Sequence, residues 1–144
     1  MDVMDNDSAK AVVTGGKDGH AVITNPQESE EIFGEVKAHS KKINDIFWHE
    51  PSCSDSAYAF VSASLDKTVK YWNFDTDTKK SKSQWNFKGH KGEVTALSLH
   101  ATKDYVATCS LDSTWRLLDM AQGKEIFSMS DPNFEKGNNL KIIC

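Results

Sequence analysis

The chain has 144 residues, 38% of them hydrophobic and 26% charged, with 17 basic and 21 acidic side chains and a formal net charge of −4. That is a soluble globular composition rather than a disordered or fibrous one, and it lacks the basic face that a primary nucleic-acid grip requires. Three unpaired cysteines read as reduced intracellular thiols, no apolar run is long enough to span a bilayer, and the acidic start "MDVMDNDSAK" is neither a secretory nor a mitochondrial leader.

In chain order, the segment near Asp2 to Asp5 reads as the remnant of a first strand, and Val12 to His39 as three further strands. The "TGGKDG" between them lacks the Walker pattern and precedes a strand, so it reads as a turn rather than a phosphate loop. A second unit opens with Ile43–His49, continues through "FVSAS" and ends its third strand at Trp72-Asn73. "KKSK", Lys79 to Lys82, reads as a solvated loop between third and fourth strands. A third unit runs through Val94–His100, Tyr105–Ser110, Thr114–Met120 and Glu125–Met129, with turns at Lys103-Asp104, Asp112-Ser113 and Gln122-Gly123. "DPNFEKGNN" then reads as a polar loop, and "LKIIC" as the start of another first strand. Short strands separated by turn residues, with no helical stripe, predict an all-β fold of antiparallel four-stranded meanders.

The units repeat one another. "VVTGGKDGHAVITN", "FVSASLDKTVKYWN" and "VATCSLDSTWRLLD" align on Asp18, Asp66 and Asp112, spaced 48 and 46 residues apart, with Thr14, Ser62 or Thr108 four places earlier. "KAHSKKINDIFWH" and "KGHKGEVTALSLH" add a second marker: His39 and His90 lie 51 residues apart, as do His49 and His100. In a meander, alternate connections fall at the same end, which brings the His39 loop beside the Asp66 turn. The spacing predicts a hydrogen-bond chain from the Trp72 indole to Ser62, from Ser62 to His39, and from His39 to Asp66. His90, Thr108 and Asp112 form the corresponding set. Serine, histidine and aspartate also suggest a hydrolase, but a catalytic group would be expected once, and no nucleophile elbow occurs. The histidines and cysteines have no metal-ligand spacing, so neither metal nor cofactor is expected.

A glycine- or alanine-histidine pair, an aspartate turn and a third strand ending in tryptophan resemble the WD-repeat family of β-propellers. Asn73 stands where that pattern has a terminal aspartate, and Leu118 where it has tryptophan. The resemblance implies a partial propeller of about three blades: a partial blade at 1–38, blades at 39–89 and 90–131, and the start of another at 132–144. Closed propellers have 4–8 blades, so truncation at both ends is expected. Leu65 and Leu111 precede the turn aspartates, with Lys17 at the matching place in the first copy. Each leucine either packs under its own turn or joins a partner-binding contact near the central opening.

The run "GEVTALSLHATKDYVATCSLDSTWRLLDMAQGKEIFSMSD", with its "LSLHAT.DY", early Trp115 and following "D…GK", resembles the family of pre-mRNA-processing factor nineteen. That resemblance implies the partner- or substrate-binding propeller of a nuclear spliceosomal U-box ubiquitin ligase, with a role in DNA repair. Its partners would be splicing components or ubiquitination substrates, without membrane attachment or direct nucleic-acid binding. Ligase chemistry and homo-oligomerisation would belong to segments other than this one, and no catalytic residue carries over. A propeller from a ribosome-biogenesis, trafficking or signalling adaptor is the alternative.

Overall fold

The computed structural model describes residues 2–3, 11–25, 31–49, 57–75 and 77–130. They form twelve strands in three antiparallel sheets. The first contains β1 (Asp2–Val3), β2 (Val12–Gly15), β3 (His20–Asn25) and β4 (Glu31–Lys37). The second contains β5 (Ile43–His49), β6 (Ala57–Ser64), β7 (Val69–Asp75) and β8 (Lys80–Phe87). The third contains β9 (Val94–Leu99), β10 (Tyr105–Ser110), β11 (Thr114–Asp119) and β12 (Glu125–Ser130). Strand order follows chain order in every sheet, so each is a simple meander. The 132–144 segment lies outside the described residues.

Successive side chains in a strand point to opposite faces, and sheet two buries both of its faces. Phe60 and Val61 are neighbours in β6, and each is fully buried. Phe60, Trp72 and Phe74 pack with Val13, Ala21, Ile23 and Val36 of sheet one. Val61, Val69 and Tyr71 pack instead with Val94, Leu97, Val106 and Leu118 of sheet three. A side chain such as Phe60 contributes about 2–3 kcal/mol on burial. Sheet stacking, rather than local propensity, is therefore what makes these short strands persist.

The first strands of sheets two and three share an irregularity. Pairing skips Asn44 in β5 and Thr95 in β9, a bulge at the same place in each repeat. The bulge turns Asn44 towards sheet three, where its Nδ2 donates to the Val94 carbonyl at 2.9 Å. Asp45 then accepts the Leu97 N–H at 2.9 Å. These two bonds lock adjacent sheets in register.

Two details differ from the reading of the sequence. Lys80, Ser81 and Lys82 belong to β8, and only Lys79 of "KKSK" stays in the turn. Strand pairing of Asp75 with Lys80 closes that connection earlier than charge alone suggested. Likewise β11 ends at Asp119, because the Met120 N–H leaves the ladder to donate to the Asp104 carbonyl at 2.9 Å.

Candidate functional site

The turn joining β6 to β7 and the segment leading from β4 into β5 lie at one end of sheet two. Local chemistry shapes the turn: Lys67 takes a positive φ of 72°, the Ser64 hydroxyl accepts the Asp66 N–H at 3.0 Å, and Asp66 accepts the Thr68 N–H at 3.1 Å. The Asp66 carboxylate is thereby aimed at the incoming chain. The matching turn in sheet three has Ser113 at φ 65°, with Ser110 and Thr114 in the equivalent roles.

His39 is 2% exposed and sits between the two elements. Its Nδ1 lies 3.0 Å from Asp66 Oδ2, and its Nε2 lies 2.8 Å from Ser62 Oγ. A carboxylate can only accept, so Nδ1–H donates to Asp66 and the unprotonated Nε2 accepts the Ser62 hydroxyl. Sheet three repeats the arrangement: His90 Nδ1 is 3.1 Å from Asp112 Oδ2, and its Nε2 is 2.8 Å from Thr108 Oγ1. Six of the seven residues singled out for hydrogen bonding thus meet in two triads.

Trp72 does not join them. Its Nε1 is buried without a hydrogen-bond partner. In the register of β6 and β7, Trp72 stands opposite Phe60, whereas Ser62 stands opposite Lys70. The indole stacks on Phe60, with centroids 6.3 Å apart and planes 18° from parallel, and the Lys70 ammonium lies 5.6 Å above it. Packing fixes the ring away from Ser62, whose hydroxyl still donates to His39.

A threonine completes each network. Thr68 Oγ1 donates to Asp66 Oδ1 at 2.6 Å and lies 3.0 Å from His39 Nδ1; Thr114 Oγ1 donates to Asp112 Oδ1 at 2.5 Å. Backbone donors finish the cradle, Ser40 N–H to Asp66 at 3.2 Å and Lys91 N–H to Asp112 at 2.8 Å. The sequence carried a signal for the threonines, since "DKT" and "DST" place one two residues after each aspartate.

Burial pulls both histidines below their ordinary value, and the neighbouring Asp66 and Asp112 only partly oppose this. For Asp112, burial pushes the carboxyl up. The Thr114 hydroxyl, the Lys91 N–H and His90 outweigh it and hold the group at about 2. Asp66 is lowered on the same balance, with burial opposed by Thr68, His39 and Ser40. The networks therefore hold neutral imidazoles against ionised carboxylates. Ser62 and Thr108 are fully buried, so neither hydroxyl can meet a substrate as a nucleophile must.

The proposed contact residues occupy the same end of the sheets. Lys17 is exposed in the turn between β2 and β3, and Leu65 is half-buried beside Asp66. Leu111 is 41% exposed beside Asp112. Its N–H donates to the Glu93 carbonyl, as the Leu65 N–H does to Lys42, each at 2.9–3.0 Å. Among the described residues, no group of three histidine, cysteine or acidic side chains is placed to hold a metal. No helix among them is long and apolar enough to cross a membrane.

Three stacked four-stranded meanders, two of them riveted by a histidine–hydroxyl–aspartate network, define a β-propeller segment. The family model described as "WD domain, G-beta repeat" matches residues 31–73 and 81–119, and the chain belongs to the WD-repeat family. Among individual proteins, it is similar to "Pre-mRNA-processing factor 19" of Bos taurus, 30% identical over 131 residues, covering 91% of this chain and 24% of the relative. The protein of the same name from Caenorhabditis elegans is 33% identical over 130 residues, covering 90% of this chain and 24% of that one. "U4/U6 small nuclear ribonucleoprotein PRP4" of Saccharomyces cerevisiae is 24% identical over 115 residues, covering 80% of this chain and 24% of its own length. The chain thus spans about a quarter of the length of these curated relatives.

Proposed function

We propose that this chain is a protein-binding scaffold segment acting in the nucleus within a pre-mRNA-processing assembly, with Lys17, Leu65 and Leu111 on its partner-binding face. The observation that carries the reading is the division of labour at one end of the sheets. The two histidines and their aspartates there are locked inside the networks, while Leu111 beside them stays 41% exposed. A rigid frame presenting variable loops suits recognition. The likeness to two differently named splicing-related proteins supports the assembly. In this proposal, ubiquitin transfer and DNA repair are activities of the assembly to which the scaffold brings partners.

The test is site-specific photo-crosslinking in cells, with the crosslinker at Leu65, at Leu111, and at exposed Ile32 on sheet one as control. Capture of splicing components from the two leucine positions, absent from the control, is the expected result. Capture of ribosome-biogenesis or trafficking proteins instead would overturn it.

A further inference from the structure

The β9–β10 loop and the β11–β12 turn meet sheet two at the end opposite the Asp66 and Asp112 turns. A groove of about 470 Å³ lies between them, with His49, Tyr71, Asn73, Asp104, Tyr105 and Asp119 in its lining. Its walls are fixed across the seam. His49 Nε2–H donates to the Lys103 carbonyl at 3.0 Å while its Nδ1 accepts the Tyr71 hydroxyl at 2.8 Å. On the same seam, Trp85 Nε1 donates to the Met120 carbonyl at 2.8 Å.

The lining holds two carboxylates, Asp104 and Asp119. Asp119 uses one oxygen on the Ala121 N–H at 2.7 Å and retains the other. Asp104 is an exposed carboxylate, and the Asn73 side-chain carbonyl is buried without any donor. Among the described residues of the lining, Lys103 is the one lysine or arginine, against two carboxylates. Tyr105, 39% exposed, adds an aromatic rim. Phosphate or an acidic peptide would meet like charge here.

We propose that this seam is a second interaction surface, which receives an arginine side chain of a partner protein. A guanidinium is planar, carries five donors, pairs with carboxylates and stacks on tyrosine. Asp104 and Asp119 supply the charge, Tyr105 the stacking face, and the Asn73 carbonyl, turned about its terminal torsion, a further acceptor. The surface is separate from the leucine face and stands whether or not that face binds splicing components.

The experiment is an NMR titration of the 144-residue chain with N-acetyl-arginine methylamide, and with its citrulline counterpart as the uncharged isostere. Saturable shifts at the Tyr71, Asn73 and Asp119 amides, seen with arginine but not citrulline, are expected. The paired D104N and D119N substitutions keep the oxygen that caps Ala121 and should weaken binding about fivefold or more. Equal shifts with citrulline, shifts spread over other acidic positions, or an affinity unmoved by the substitutions would each overturn the proposal. Equal affinity for N-acetyl-lysine methylamide would overturn the assignment to a guanidinium.

Discussion

Replacing His39 by alanine tests the network at its centre. The substitution removes the 2.8 Å bond to Ser62 Oγ, and Ser62 is fully buried with no other bond to its hydroxyl among the described residues. A stranded buried hydroxyl costs about 1–3 kcal/mol. Asp66 fares better, since the Thr68 hydroxyl, the Thr68 N–H and the Ser40 N–H remain to it. Losing one of its donors adds about 1 kcal/mol, and the vacated ring volume adds a cavity term. A total of about 3 kcal/mol lowers Tm by about 10 °C in a chain of this size. Thermal unfolding followed by circular dichroism reads this directly. In the His39→Ala background, adding Ser62→Ala should be cheaper than in the native chain by about 1–2 kcal/mol, because the stranded hydroxyl goes with it. Trp72→Phe combined with His39→Ala should instead be additive within about 0.5 kcal/mol. An unchanged Tm for His39→Ala, or strong coupling between Trp72 and His39, would refute the network as drawn.

Acid should destabilise the fold in two steps. Both histidines lie below the ordinary 6.5 when folded, so the unfolded chain binds the proton more tightly, and stability falls as pH drops below that value. The Asp112 contribution is complete above 3.8 and is lost as pH falls towards about 2. Urea titrations between pH 8 and 2 should show both, and a flat profile between pH 7 and 5 would contradict the first. Gly19→Ala should destabilise by roughly 1–3 kcal/mol in the same assay, because φ there is +84° and a Cβ would lie 2.2 Å from the His39 carbonyl oxygen. Cys109 is fully buried, and burial pushes its thiol up to about 11. Iodoacetamide at pH 8 should label it only as fast as the chain unfolds, and rapid labelling of the folded protein would show that the site opens locally.

The sequence made the fold legible because its markers are periodic and its turns are chemically specific. Asp66 and Asp112 announce the same turn twice, and two histidines at matching distance announce the same loop. The partners of those histidines followed from topology alone, since a meander brings alternate connections together. The Trp72 contact failed for a different reason. Donor and acceptor capacity allowed the indole to reach Ser62, but capacity does not determine ring orientation. In the structure, cross-strand stacking on Phe60 settles it, a packing preference between residues twelve apart that no local pattern encodes. The two sheets supply an internal control: Leu118 in place of tryptophan has no N–H to offer, yet His90, Thr108 and Asp112 keep the same geometry. A network that forms identically with and without the indole does not depend on it. What both copies do share is the threonine two residues after the aspartate, and that hydroxyl makes the shortest bond to the carboxylate in each. The recurring unit of this fold is therefore histidine, hydroxyl, aspartate and threonine, while the tryptophan position is free to serve the packing between neighbouring sheets.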